Sequence, residues 1–397
     1  MSDSAPDGHG DPPVARPLRI LVAQNVPRAR TGGMSRLMGF MHDRVAARGH
    51  TVDYLCAEEL GGPSKRLARF TFPLLVLRRA RAAARAGRPY DLINVHEPSA
   101  VAVLAGRRTV GDAVIVVTTH GVEQRGWKIR REAARRETDP IALRTRFIYP
   151  ATILWQANFG LRQADHIFCL NQEDLEYLTT RFGRSRDDIT RIFPGVDPIY
   201  ASAAAYRDYR RASRMVFAGS WLPRKGTHDL IASFATLRQR YPQLELHVLG
   251  SGVADEVVLS AFPLESRAAV KCVHAVNDSA AAAAYADADI YVLPSRFEGT
   301  PLTLIEAMAS GLTIVTTAIC GMRDVIRDGA TGRLIPPYST GAIVRTVAAL
   351  IEDAAQRERL GLTARDEVLT KYSWDQVAAP VWAIYERLCD SGRGALA

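Results

Sequence analysis

Short β-branched, apolar runs alternate with helical patterns along almost the whole chain, and this alternation constrains the fold more than any other feature. The first series is R-I-L-V-A (19–23), T-V-D-Y-L-C (51–56), L-I-N-V (92–95), A-V-I-V-V-T (113–118) and H-I-F-C-L (166–170), with a helix near 33–47. The second is M-V-F-A-G (215–219), L-E-L-H-V-L-G (244–250), K-C-V-H (271–274), I-Y-V-L-P (290–294) and T-I-V-T-T (313–317), with a helix from Thr227. Near-continuous apolar strands separated by helices are buried on both faces, which means parallel sheets between helical layers. The series restarts after about residue 200, so the expected fold is α/β, two tandem doubly wound Rossmann-like domains. The expected division is a disordered tail at 1–17, an N-terminal domain at 18–197, a linker at 198–214, a C-terminal domain at 215–373 and a closing segment at 374–397. Ligands of such sheets bind at the carboxyl ends of the strands, which places the site in the interdomain cleft.

Composition removes several classes. At 397 residues, 47% apolar and 23% charged, the chain can bury a substantial core, so a disulfide scaffold, a fibre and wholesale disorder are excluded. No run reaches the roughly 18–20 apolar residues of a membrane span. F-P-L-L-V-L (72–77) reads as a core strand or helix piece, and residues 1–17 lack the pattern of a signal peptide. Cys56, Cys169, Cys272, Cys320 and Cys389 are scattered and never form C-x2-C, which argues against a zinc site and fits a reducing cytoplasm. The net charge of +9 is uneven: residues 1–195 hold 30 Lys and Arg against 20 Asp and Glu, while the remainder holds 21 against 22. A basic half suggests an anionic partner.

The most informative segment is Y-V-L-P-S-R-F-E-G-T-P-L-T-L-I-E-A-M-A-S-G (291–311). A buried strand ends at Pro294, Thr300 suits an N-cap and Pro301 the first helical position. Leu302, Ile305 and Met308 form an apolar stripe, and Gly311 suits the helix end. Amides from Gly299 to Leu302 would then leave a helix N-terminus at the top of a sheet, an anion site suited to a diphosphate. Glu306 lies near the packed face and needs partners, which a ribose diol would supply. Glu298 sits in the preceding loop. The alternative is an ordinary capped helix with two solvated glutamates.

Three further segments carry chemistry. In F-A-G-S-W-L-P-R-K-G-T-H-D-L-I (217–231), a strand ending near Gly219 opens into a loop with Arg224 and Lys225, before a helix capped by Thr227. Two adjacent cations there suit a phosphate-rich ligand, with a solvated basic loop as the alternative. In T-G-G-M-S-R-L (31–37), Gly32 and Gly33 open a helix after the first strand and permit close approach to a ligand, although the G-x-G-x-x-G spacing is absent. In V-T-T-H-G-V-E (117–123), His120 follows a buried strand; a lone histidine is commonly structural, and its place at a strand's carboxyl end favours a ligand role.

Together these segments resemble the GT-B nucleotide-sugar glycosyltransferases, specifically the retaining family 4 group (glycosyl transferases group 1), from about Leu18 to the closing helix near Trp374–Leu388. The most specific element is the glutamate pair Glu298 and Glu306 with G-T-P between. The early G-G, T-x-H-G, F-P-G-V-D (193–197), the R-K-G loop and A-D-I-Y-V-L-P-S (288–295) support it. The resemblance implies that Arg224 and Lys225 neutralise the donor diphosphate, with Gly219 in their loop. It implies that Glu298 binds the transferred sugar and Glu306 the ribose hydroxyls, and that Gly299, Thr300, Pro301 and Leu302 complete the phosphate cradle. His120 would touch the donor sugar, Gly32 and Gly33 would close on it, and the base would lie against Val276–Asp278. The closing helix would cross back onto the N-terminal domain. One departure is Gly121, where the family often has Asp; it leaves the partners of His120 open.

The implied function is retaining transfer of a hexose-type sugar from a nucleotide diphosphate sugar to a lipid-linked or saccharide acceptor in cell-envelope or exopolysaccharide synthesis. The donor is a substrate; no cofactor and no metal are expected. D-A-D (287–289) leads into a buried strand and is not read as a metal motif. The basic stretches 65–88 and 125–146 fit an anionic membrane face or a lipid-diphosphate acceptor, with a solvated arginine-rich face as the alternative. The expected location is the cytoplasm, peripheral on the inner face of the membrane. A nucleotide-sugar epimerase of the same architecture and a non-catalytic nucleotide-sugar binder are the competing readings. Nucleic acid is not an expected partner, because no reader motif interleaves aromatics with the arginines.

Overall fold

The first strand series forms one parallel sheet and the second forms another. The computed structural model describes residues 16–29, 32–60, 67–136, 140–203 and 207–394. The first sheet contains β1 (Arg19–Gln24), β2 (Thr51–Cys56), β3 (Leu92–His96), β4 (Val114–Thr118), β5 (His166–Cys169) and β6 (Ile189–Arg191), in the order β2-β1-β3-β4-β5-β6. The second contains β7 (Arg214–Ala218), β8 (Glu245–Leu249), β9 (Val270–Val273), β10 (Ile290–Leu293), β11 (Thr313–Thr317) and β12 (Arg333–Ile335), in the order β12-β11-β10-β7-β8-β9. Every pairing between these strands is parallel. β6 and β12 lay outside the expected series: each is a three-residue edge strand, too short to carry an apolar run.

The strand order fixes where ligands go. In the first sheet the chain reverses direction of growth between β1 and β3, and in the second between β7 and β10. Loops leaving adjacent strands at such a point diverge to opposite faces and open a crevice. The loops after β1 and β3 carry Gly32–Gly33 and Glu97; those after β7 and β10 carry Arg224–Lys225 and Glu298.

The final helix, Trp374–Gly394, lies against the N-terminal sheet, not the domain that precedes it. The Phe40 and Trp374 rings pack at 5.0 Å with a 31° tilt, and Tyr385 Oη bonds His42 Nε2 at 2.9 Å and accepts from Asn94 Nδ2 at 2.6 Å. A Cβ at Gly195 would stand 2.6 Å from the Trp374 ring, so the glycine of F-P-G-V-D is what lets the crossing chain approach. The connection between the sheets holds a short helix, Pro198–Ala203.

Most of the 1–17 tail lies outside the described residues, and Arg16 is paired with Asp91 at 2.6 Å. Residues 72–77 belong to the helix Ala68–Arg85. D-A-D sits at the amino end of β10, the edge away from the cleft. There Asp289 accepts from the Ser213 and Arg214 amides at 2.8 Å each, and Asp287 pairs with Arg214. Among the described residues, no helix is long and apolar enough to cross a membrane.

Candidate active site

On the C-terminal wall, two glycines shape the loop after β7. Gly226 has φ +74, and a Cβ there would collide with the Pro294 carbonyl, so the loops after β7 and β10 touch at this point. Gly226, not Thr227, is the N-cap of the helix Thr227–Arg240; Thr227 is its first residue. Gly219, at φ +142, lies against the Lys225 side chain.

Lys225 Nζ stands 2.6 Å from Glu298 Oε1, Arg224 Nη1 is 3.6 Å from Oε2, and Ser295 Oγ donates to Oε1 at 2.9 Å. Burial alone would raise the Glu298 pKa, but Lys225 and Arg224 outweigh it and hold the carboxyl below its ordinary value. Glu298 is therefore an ionised, buried group that fixes both cations.

The helix after β10 is Leu302–Ala309 with Pro301 as N-cap, one residue later than the expected Thr300 cap. The Thr300 hydroxyl instead donates across the domain boundary to the Leu170 carbonyl. Gly311 has the expected positive φ. Glu306, 2% exposed, does have partners: Tyr285 Oη donates to Oε2 at 3.3 Å, and Arg36 Nη1 lies 2.5 Å from Oε1. The contact with Arg36 is an ion pair. Burial raises the Glu306 pKa while Arg36 opposes the rise.

Arg36 comes from the other domain, on the helix Gly33–Ala47. It also reaches Asp278 at 2.7 Å and Tyr200 Oη at 3.0 Å. Burial works against its charge, yet Glu306, Tyr200 and Asp278 raise its pKa. Sequence reasoning missed it. The available signal was a cation on the first turn of a helix opened by a glycine pair at a strand's carboxyl end.

On the N-terminal wall, Gly32 caps that same helix, and a Cβ at Gly33 would meet nothing within 4 Å. His120 is half-buried, with its pKa pulled down to about 4 by burial, and its ring lies 4.5 Å from that of His96. Gly121, where an Asp was a family alternative, has φ +116, and a Cβ there would stand 3.0 Å from the Phe297 ring. A Cβ at Gly299 would stand 2.9 Å from the His120 carbonyl oxygen. These glycines let the walls meet.

Between the walls is a cavity of about 880 Å³, within the usual range for a small-molecule site. Every candidate residue borders it: Gly32, Gly33 and His120 from one side, and Gly219, Arg224, Lys225, Glu298, Gly299, Thr300, Pro301, Leu302 and Glu306 from the other. Val276–Asp278 also borders it, as do Arg36, Glu97, Glu123 and Tyr285, which the motifs did not nominate.

Two doubly wound domains facing one another across such a cleft define the GT-B class. The model for Glycosyltransferase Family 4 matches residues 31–199, and that for Glycosyl transferases group 1 matches residues 207–367. The chain belongs to the family 4, group 1 glycosyltransferases. It is 32% identical over 213 residues to a phosphatidyl-myo-inositol mannosyltransferase of Mycobacterium tuberculosis, covering 52% of this chain and 56% of that protein. The chain thus spans about half the length of the curated relatives it matches. In fold it is similar to sucrose-phosphate synthase from Thermosynechococcus elongatus (TM-score 0.76, 20% identity, 94% of this chain and 100% of that one). It is also similar to Anabaena HepE in complex with UDP and glucose (TM-score 0.66, 15% identity, 92% and 99%).

Proposed function

We propose that the protein is a retaining glycosyltransferase. It moves a hexose-type sugar from a nucleotide diphosphate sugar to a lipid-linked or saccharide acceptor in envelope or exopolysaccharide synthesis. The observation that carries this reading is the convergence of Arg224, Lys225, Glu298 and the Leu302–Ala309 helix N-terminus at one strand-order reversal. Two motifs about 70 residues apart in sequence meet where a diphosphate needs positive charge.

In this mechanism Arg224 and Lys225 stabilise the leaving diphosphate, and Glu298 holds them in place before the donor arrives. Glu306 takes the ribose hydroxyls, exchanging Arg36 for them. His120, neutral near pH 7, offers a hydrogen-bonding nitrogen to the donor sugar. These cations supply the charge that a metal supplies in other transferases, so the reaction proceeds in EDTA. Retention follows from a front-face path in which the leaving phosphate helps remove the acceptor proton. Incubation with nucleotide sugars and lipid or saccharide acceptors should give a product of retained anomeric configuration. An inverted product, or donor epimerised without acceptor, would contradict the reading.

The basic half is assigned to an anionic membrane face. Leu143 and Phe147 are 72% and 71% exposed on the helix Leu143–Tyr149, beside Arg144 and Arg146. Apolar side chains presented among cations suit a lipid surface. Co-sedimentation with phosphatidylglycerol vesicles at low salt should be strong and should fall with salt; indifference to vesicles would remove this part.

A further inference from the structure

We propose that Glu173 and Asp324 are positioning residues for the phosphate cradle. By exchanging carboxylates across the domain boundary, they hold the Glu298–Thr300 backbone so that its amides face the diphosphate. This rests on the glycosyl-transfer reading above, and it assigns a role to two acids that do not border the cavity.

The two acids belong to helices of different domains. The helix Gln172–Phe182 follows β5 of the first sheet, and the helix Cys320–Val325 follows β11 of the second. The first amides of a helix have no partner within it. Here each helix takes that partner from the other. The Gln172 amide donates to Asp324 Oδ2 at 2.6 Å, and the Cys320 amide donates to Glu173 Oε1 at 3.0 Å. Each carboxylate also meets a cation of the N-terminal domain: Arg191 Nη1 lies 3.2 Å from Asp324, and Arg125 pairs with Glu173. The joint is therefore charge-assisted in both directions.

This joint presses directly on the cradle. Cys320 has φ +48, a conformation that residues with a side chain adopt rarely and keep only where their surroundings over-determine it. Its neighbour Gly321 leaves no room for a Cβ, which would collide with the Thr300 hydroxyl and the Gly299 carbonyl. The turn that offers its amide to Glu173 is thus packed against Gly299 and Thr300.

Peptide geometry carries the effect to the ligand side. The Gly321 amide donates to the Gly299 carbonyl at 2.9 Å. Asn171, the N-cap of the helix Gln172–Phe182, places Nδ2 3.5 Å from both the Glu298 and the Gly299 carbonyl oxygens. In a planar trans peptide the N–H points opposite to the C=O. Drawing these two carbonyls toward the joint turns the Gly299 and Thr300 amides away from it. Both residues border the cavity, and their amides are those the proposed cradle needs. A free strand-to-helix turn could rotate either peptide; the joint fixes both before a ligand arrives, which is the condition for electrostatic preorganisation. Glu173 and Asp324 act on the ligand only through this turn.

The test is titration calorimetry on the full chain with UDP, GDP and ADP, each set against its monophosphate. The proteins are wild type, Glu173→Ala, Asp324→Ala, Glu173→Gln and Asp324→Asn. The wild type should bind one diphosphate about tenfold or more tightly than its monophosphate, because the cradle grips the phosphate that the monophosphate lacks. Each alanine variant should lose about fivefold or more of that ratio, while its monophosphate affinity stays within about threefold of wild type. Glu173→Gln and Asp324→Asn keep an acceptor oxygen for the partner amide and should hold the ratio within about twofold. A smaller loss in a folded alanine variant, or conservative variants as poor as the alanine ones, would overturn the positioning role. So would monophosphate and diphosphate affinities falling together, since a joint that only holds the domains cannot tell the two ligands apart. If circular dichroism shows Asp324→Ala unfolded, Glu173→Ala, at the more exposed side chain, decides. Loss of fold in both would also overturn the role, because the joint would then serve the fold and not the cradle. A wild type that binds nucleotides without preferring the diphosphate overturns the positioning role alone. A wild type that binds no nucleotide overturns the glycosyl-transfer reading, and the positioning role with it.

Discussion

The two walls of the cleft hold their acids differently: ion pairs bind the glutamates of the C-terminal wall, and hydrogen bonds hold Glu97 on the N-terminal wall. On the C-terminal wall, Glu298 is ion-paired with Lys225 and Arg224, and Glu306 is held by Arg36 and Tyr285. On the N-terminal wall, Glu97 is held by the Thr119 hydroxyl and the Glu123 amide, and the imidazoles of His96 and His120 keep occluded nitrogens unpaired among the described residues. The C-terminal wall is thus organised before a ligand arrives, at the cost of contacts that the ligand must share or replace. Electrostatic preorganisation on the C-terminal side suits the charged leaving group of the proposed reaction.

The largest effect should come from removing a cation from the organised wall. Lys225→Ala should lower kcat about 10²–10³-fold, because loss of one such electrostatic donor costs roughly 2.7–4 kcal/mol in the barrier. Near-normal turnover would show that the pairing with Glu298 is structural only.

The walls should also differ in pH response. Glu97, raised from 4.5 to about 8, binds a proton more tightly in the folded state, so its contribution to stability falls as pH rises from about 4.5 to about 8. Glu298, held below 4.5, contributes stability that is present above that value and lost as pH falls through its folded pKa. Glu97→Gln should therefore gain on the wild type in melting experiments as pH rises toward 8, by on the order of a few kcal/mol at about 1.4 kcal/mol per pKa unit. A difference independent of pH would mean Glu97 is not the buried, proton-holding group described.

A smaller effect tests the contact that joins the walls. Arg36→Ala removes two ion pairs that hold the domains together, and it frees Glu306. Melting temperature should fall by a few degrees, since breaking a buried pair is destabilising. Nucleotide affinity should rise by about threefold to tenfold, because ribose no longer competes with a guanidinium. A loss of affinity would place Arg36 in the nucleotide site itself.

What sequence could disclose follows the range of the interactions involved. The ten longer strands are local, apolar and repetitive, and their runs match the sheets closely; β6 and β12 have three residues each and leave no such pattern. The G-T-P and R-K-G segments announce a strand-to-helix turn, and both line the cavity. The cap positions shift by one residue because tertiary contacts prevail over local preference: Thr300 is drawn to Leu170, and Gly226 is needed against Pro294. Arg36 and Glu306 are 270 residues apart in sequence, and nothing in either neighbourhood predicts their pairing. The demand was legible, since a carboxylate on a packed helix face needs partners; the partner was not. Glu97 and Glu123 each look like ordinary loop or helix acids until strand order sets them together at a crevice.

The most direct measurement of the central claim is thermal stabilisation by UDP, GDP, ADP and their sugars, with and without EDTA, on wild type and Glu306→Ala. A ligand at about 100 times its Kd adds roughly 2.7 kcal/mol, enough to shift the melting temperature by a few degrees. The account predicts that one nucleotide stabilises the wild type, unaffected by EDTA. It also predicts that Glu306→Ala binds that nucleotide roughly 10–150-fold more weakly, as expected for loss of hydrogen bonds to a charged group. Equal stabilisation of both proteins, or a shift abolished by EDTA, would contradict it.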